Sequence, residues 1–463
     1  MLDKVSAQLV TARFGWGFLA FHFAALIVFV SLLSLPIASH PLLLRRAGRI
    51  LAGLLTAALG VFAFVPPRFC LRIIRATGLL WAYALAAGLA AAMLVKVSWS
   101  FWRPATYLTI SLVRVVLSIF SSHVIADPTT ATVGTQKFNV VVLKECSGLE
   151  GIGLMLVFSI GWLWLVRREC RFPAALLLIP AGLLCVWLLN IVRIAVLIFI
   201  GNAGAPNVAI GGFHSQAGWI AFNCVALGFA VATTRLPWVT LSPPERPRAA
   251  TSAGNPAAAY LIPFLTILAA GMISQAAAGT FEWLYPLRFF AAVTALWVFR
   301  ARYAQLDWRF GWLAPAAGVM VFAFWLAPDW FVSTHPDNGI SAGLAPWPAS
   351  AKMLWLAIRT AAAVVTVPIA EELAFRGFLI RRLISADFTS LDPKTYTWLS
   401  VLVSSAAFGL LHGERWLAGI FAGFLYAAVY LRRGRIGDAV VAHATTNALI
   451  AALVLWRGQW YLW

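Results

Sequence analysis

Charge is what this sequence has least of. Asp, Glu, Lys and Arg together make up 11% of its 463 residues, while hydrophobic residues make up 62% and the mean hydropathy is +0.86. A water-soluble domain has about a quarter of its residues charged, so a soluble globular fold is excluded. Cysteine is sparse as well. The five thiols include no CxxC pair, which excludes a zinc ribbon and offers no disulfide framework. No HExxH string occurs, so a classical zinc-protease site has no support. Long polar stretches are missing between the apolar runs, and no small-residue cleavage site follows the first run. The N-terminal MLDKVSAQLVTARFGW therefore leads into a retained span rather than a removed leader.

What remains is a succession of apolar runs. At 1.5 Å rise per residue about fourteen of them are long enough to cross a hydrocarbon core, which predicts an all-α, polytopic integral membrane protein. The formal net charge of +19 does not imply nucleic acid, because Lys and Arg collect in short loops where positive-inside topology puts them. The 22 Trp fit interfacial belts. A stretch rich in Pro, Ser and Arg (PWVTLSPPERPRAATSAGNP) separates two apolar blocks of similar size. It predicts two helical bundles, 1–235 and 258–463, joined by a cytoplasmic linker at 236–257. Basic loops at Arg167–Arg171, at Arg235 with Arg246 and Arg248, at Arg300–Arg302, at Arg381–Arg382 and at Arg432–Arg435 are each separated by two apolar runs. All five can thus lie on the cytoplasmic side. RFCLRIIRATG, from Arg68, breaks that parity and predicts a surface-lying or extra segment.

In the first block, Cys146 stands at the outer mouth of a span from about Leu149 to Val166. The next span, about Ala174 to Ile200, carries Arg193 one to two turns below its outer end, and His214 opens the returning span. A free thiol titrates near 8.5 and becomes a nucleophile when a neighbouring His or Arg favours the thiolate. His214 could return a proton to a leaving amine, and Arg193 could steady an oxyanion. A lone membrane cysteine is more often a small packing residue, and Cys70, Cys170, Cys185 and Cys224 are assigned that role. Cys146 is set apart by Lys144, Glu145, Ser147 and Gly148 around it. His214 alone would more often be an interfacial polar residue. Arg193, deep in apolar sequence, costs about 2.5 to 3.5 kcal/mol to insert and marks function by default.

The second block carries VPIAEELAFRGFLIRR, AAFGLLHGERW and AVVAHATTNALI. Arg376 follows Glu372 by one helical turn, and Asn447 follows His443 by one turn, so each pair shares a face. Glu371 lies roughly 15 Å in from Arg381, His443 roughly 12 Å in from Arg435, and His412 roughly 20 Å from the start of its span. These depths meet near the bilayer centre. A carboxylate and two imidazoles there can activate water, with Asn447 donating to the oxyanion. Intramembrane Glu, His and Arg equally mark transporters and helix-gluing networks.

ECSGLEG, LLNIVRIAVL and FHSQAGW resemble the Cys, Arg and His signatures of the exosortase and archaeosortase family, over about Arg103 to Thr233. The resemblance implies a transpeptidase-like cysteine enzyme of the bacterial cytoplasmic membrane, with its site facing the periplasm. Its partners would be exported proteins with a C-terminal sorting signal made of a short motif, an apolar span and a basic tail. Cys146, Arg193 and His214 match its catalytic triad, which needs no cofactor. EELAFRG, FGLLH and HATTN are similar to the EExxxR, FxxxH and HxxxN signatures of the CPBP intramembrane proteases, relatives of the type II CAAX prenyl endopeptidases, over about Ala351 to Ala452. That resemblance implies water activation by Glu371 and His412, oxyanion binding by His443 and Asn447, and support from Glu372 and Arg376. A divalent metal at Glu371, His412 and His443 stays open, since the ligand types would suit one. Both in one chain resemble the exosortase E/protease fusions associated with VPEID-type sorting signals.

Two rival readings stand beside this one. A transporter or lipid-handling protein would show inverted repeats or matching Gly/Pro-broken helices, and the two halves share no motif. Alternatively, one half is catalytically inactive and docks substrate.

Overall fold

The computed structural model describes residues 15–34, 42–98, 102–143, 146–241, 255–331 and 339–463. The fold is all-α and polytopic, 76% helical. Among the described residues seven helices are long and apolar enough to cross a membrane, and an eighth is added if a bent pair forms one span. Four shorter apolar helices accompany them, Leu149–Leu165, Pro286–Val298, Leu313–Asp329 and Trp398–Leu410. The bent pair covers the basic RFCLRIIRATG stretch: α1 (Pro67–Thr77) ends at Gly78, whose φ of 51° turns the chain, and the pair bends by 85°. Most of the Pro/Arg-rich linker, 242–254, lies outside the described residues, as do Lys144 and Glu145 and the first fourteen residues.

The chain divides into two compact units, each built from separated stretches. One comprises Ala86–Ala301, Val332–Ala370 and Ile450–Trp463. Its site-bearing part runs through α2 (Trp102–Ser118), a three-stranded sheet, α3 (Leu149–Leu165), α4 (Leu178–Asn202) and α5 (His214–Arg235). The sheet is antiparallel in the order β1 (Val124–Asp127), β2 (Thr132–Thr135), β3 (Asn139–Val141), with Val124 opposite Thr135 and Thr132 opposite Val141. Hydropathy had no means of signalling it, because the strands are three or four residues long. Asp127 anchors the first turn: its carboxylate accepts from Thr129 N (2.9 Å), Thr129 Oγ1 (2.6 Å) and Thr130 Oγ1 (2.8 Å). Those hydrogen bonds, led by the one from Thr129, hold the carboxyl at about 2. Val133 and Val142 sit in one apolar cluster with Ile110, Val113, Leu117, Ile191, Ile194 and Ile198, and Cys146 belongs to it.

The other unit comprises Met1–Leu85, Arg302–Phe331 and Glu371–Leu449. Here α6 (Trp398–Leu410) packs on α7 (Trp416–Arg433), and α8 (Ile436–Arg457) carries the last motif. The α6–α7 approach depends on small residues: a Cβ added at Gly419 would lie 2.8 Å from Gly409 Cα, and one at Gly423 would lie 2.8 Å from Ser405 Cα. The Glu-Glu-Arg motif lies on a long helix, Ala349–Arg382, interrupted by π-helical turns at Ala362–Thr366 and Leu373–Leu379.

Candidate active sites

The first site gathers three stretches that are far apart in sequence. Cys146 Sγ lies 3.6 Å from His214 Nε2 and 4.0 Å from Arg193 Nη2. The loop that holds Cys146 is pinned on both sides. Asn190 Nδ2 donates to Cys146 O at 2.9 Å, and Thr109 Oγ1 donates to Ser147 O at 3.1 Å while accepting from Trp187 Nε1 at 3.2 Å. Gly148 then starts α3 at φ 87°, where a Cβ would stand 2.8 Å from Trp187 Cδ1. A side chain there would meet both the left-handed strain and the indole, so the CSG order is a backbone requirement as well as a chemical one. A π-helical turn, Val208–Phe213, delivers His214 to the start of α5. Such turns shift side chains off the ordinary helical register and are frequent at functional sites.

Beside the sulfur lies a cavity of about 260 Å³ lined by Gly148, Glu150, Asn190, Arg193, His214 and Trp219 among others. Arg193 Nε is buried there without a hydrogen-bond partner among the described residues, and the charge of Glu150 acts on the same guanidinium. The arrangement supplies a thiol, a proton acceptor within reach and a fixed cation, the parts of thiol-based acyl transfer. Asn190 and Thr109 were not singled out from sequence. Asn190 carried a usable signal, a polar residue three positions before Arg193 and hence on its face.

The second site is built around a fully buried carboxylate. Glu372 and Arg376 are 0% and 1% exposed, which makes them a desolvated pair rather than a surface one. Arg376 Nη1 donates to Glu372 Oε1 at 3.1 Å, and Nε stands 3.1 Å from Oε2 in an ion-pair contact outside hydrogen-bond geometry. Arg376 Nη2 donates to Gly423 O at 3.1 Å, reachable because Gly423 lets α6 and α7 close up, and the guanidinium lies 4.4 Å over the Phe408 ring. His443 Nδ1 donates to the same Glu372 Oε1 at 2.9 Å. Tyr426 stacks on His443 with ring centroids 5.0 Å apart and donates to Thr446 Oγ1 at 2.7 Å. Of the two glutamates it is thus Glu372 that takes the Arg376 pairing.

Glu371 is free of those duties. Its Oε2 is buried and accepts no hydrogen bond among the described residues. His412 Nδ1 donates to Phe408 O at 2.8 Å, and since a carbonyl only accepts, the neutral ring keeps its lone pair at Nε2. Electrostatic interactions link His412 with Glu371 and His443. Asn447 sits one turn after His443 on α8, half-buried. Among the described residues no group of three or more His, Cys, Asp or Glu side chains gathers at metal-ligand spacing. Glu371, His412 and His443 form no such group among them, and no step is derived through a metal. Tyr426 and Thr446 went unnoticed in the sequence, since both lie in apolar helical context and act by holding His443 rather than by motif.

Known proteins bear on both sites. Residues 3–231 match the transmembrane exosortase family, and residues 353–449 match the type II CAAX prenyl endopeptidase Rce1-like family. The chain is thus similar to an exosortase over its first match and to an Rce1-like protease over its second. The exosortase match reaches back to residue 3, well before the motif-bearing stretch, while the Rce1-like match covers nearly the stretch that carries EExxxR, FxxxH and HxxxN. No curated protein and no solved structure matches the chain. Both families, with the apolar helices, make this a multi-pass membrane protease that processes proteins.

Proposed function

We propose that the chain is a bifunctional processing enzyme of the bacterial inner membrane, with an exosortase half at 1–235 and an intramembrane protease half at 258–463 flanking the 236–257 linker. The placement of the family matches on either side of that linker supports the division. The observation that carries the reading is the approach of His214 and Arg193, which both line one cavity, to the Cys146 sulfur at 3.6 and 4.0 Å. In the cysteine half, facing the periplasm, the Cys146 proton passes to His214 and the sulfur adds to the scissile carbonyl of a C-terminal sorting signal. Arg193 stabilises the oxyanion. The imidazolium then protonates the leaving amine, and the thioester is released to water or to an acceptor amine.

In the protease half, a water held by His412 Nε2 gives a proton to Glu371 as its oxygen adds to a peptide carbonyl within the membrane. Glu371 returns that proton to the amine that leaves as the C–N bond breaks. His443 donates to that oxyanion from Nε2 only as imidazolium, because its Nδ1–H is already committed to Glu372. Glu372 would then balance two cations, Arg376 and His443, and Asn447 adds a neutral donor. The cysteine half releases the tail of an exported protein, and the protease half degrades the remnant helix or a second membrane peptide.

A tagged exported reporter with a sorting signal, expressed with Cys146→Ala and separately with Glu371→Ala, tests both halves. The first variant is expected to leave the reporter uncut, and the second to accumulate the membrane remnant. Unchanged processing with Cys146→Ala removes the sortase reading; an unaltered remnant pattern with Glu371→Ala removes the clearance reading.

A further inference from the structure

The three-stranded sheet has an open edge at β3, and just beyond it Cys146 N donates to Leu143 O at 3.0 Å. Val142 N donates to Ala131 O at 2.7 Å and Thr135 N donates to Phe138 O at 2.9 Å, so residues 138, 140 and 142 turn their backbone groups toward β2. By the alternation of antiparallel pairing, the N–H groups of Asn139 and Val141 point the other way, away from the sheet. Neither N–H donates a hydrogen bond among the described residues, while Val141 O accepts one from Leu143 N at 3.1 Å. Val141 and Leu143, two positions apart, are 53% and 58% exposed, whereas Val142 between them is 1% exposed and packs in the cluster that holds Cys146.

Proteins ordinarily blunt such an edge with a charge, a proline or a bulge. Asn139 to Leu143 carries neither charge nor proline, and Cys146 follows three residues later. We propose that β3 is a docking strand: the extended segment of the exported substrate just ahead of its apolar helix adds as a fourth strand beside Asn139–Val141. The backbone groups of that segment pair with those of β3, its alternate side chains rest on Val141 and Leu143, and its next peptide bond is carried to Cys146. Strand addition suits an occupant with a short variable motif, because main-chain hydrogen bonds supply affinity while side-chain contacts select. This rests on the cysteine reading of the site given above.

The test uses the full chain in membranes with a tagged exported reporter ending in a VPEID-type motif, an apolar helix and a basic tail. Val141→Pro removes the outward N–H without touching the β2 ladder, and Val141→Thr keeps it. Val141→Pro is expected to slow reporter processing at least about tenfold while the rate of Cys146 alkylation by iodoacetamide stays within about twofold; Val141→Thr processes as the parent does. A photoreactive benzoylphenylalanine at position 139, in the Cys146→Ala background, is expected to capture the reporter, and one at position 125 on the far edge is not. Parent-rate processing by Val141→Pro, or capture from position 125 without capture from 139, overturns the docking strand. Should Val141→Pro also slow alkylation, capture from position 139 decides for the proposal and its absence against it. Normal processing by Cys146→Ala would instead fail the cysteine reading, and the capture at 139 would still decide the docking one.

Discussion

His443 Nδ1 donates to Glu372 Oε1 at 2.9 Å, across 71 positions of sequence, and Arg376 donates to the same oxygen. The adjacent Glu371 is left with a buried, unpartnered oxygen. Two neighbouring carboxylates thus do opposite work, one structural and one open to chemistry, and this separation can be measured.

Glu372→Gln leaves Arg376 a buried cation without its counter-charge, so the purified protein should lose about 3–5 kcal/mol of stability. Glu371→Gln removes the charge that acts on His412 but no ion pair like that of Glu372 with Arg376, so it should unfold within about 1 kcal/mol of the parent, yet lose the intramembrane activity. Unfolding midpoints in detergent, read beside remnant-peptide cleavage, separate the two. Equal destabilisation by both would contradict the division of labour.

In a background with Cys70, Cys170, Cys185 and Cys224 changed to Ser, Cys146 should be alkylated at neutral pH faster than an ordinary thiol. Arg193→Ala and His214→Ala should each slow that reaction by roughly tenfold, because a nearby cation or base sustains the thiolate. Adduct formation followed by mass spectrometry gives the rates, and an unchanged rate in both variants would make the thiol a packing residue.

Gly148→Ala forces a side chain into the left-handed region and against Trp187. The conformational cost alone is about 1–2 kcal/mol, and processing should fall because the loop holding Cys146 moves. Trimming the indole with Trp187→Ala relieves the overlap but not the φ of 87°, so the double variant should recover only part of the loss. Full recovery would mean that backbone strain is not involved.

The hairpin anchor should respond to acid. Asp127 titrates at about 2 in the fold against 3.8 when free, so its contribution is complete above about 3.8 and is lost as pH falls through about 2. Hydrogen exchange in 124–141, corrected for intrinsic rates, should be flat from pH 7 to 5 and show loss of protection only below about 3. Asp127→Asn should abolish that acid step; a step surviving in the variant would assign it elsewhere.

The span boundaries were legible because each is a local sum. The expected helices at about Leu149–Val166 and Ala174–Ile200 appear at Leu149–Leu165 and Ala174–Asn202. The Glu372–Arg376 pair was legible for the same reason, one helical turn on one face. The sheet at 124–141 was not, since strands this short leave no periodic signal. The pins on the loop of Cys146, Asn190 and Thr109, escaped because each acts on a residue at least 38 positions away.

Sequence by itself determined that this chain lives in a membrane and which side-chain chemistries it carries, because transfer free energies and residue types need no knowledge of neighbours. Only the tertiary structure decided who faces whom: that His443 answers to Glu372 and not Glu371, that His412 presents Nε2, and that an arginine and a histidine both reach one cysteine sulfur. A hydrogen bond depends on ångström-scale geometry between separate helices. Here π-helical turns lie beside both sites, local departures from the regular repeat that hydropathy does not signal.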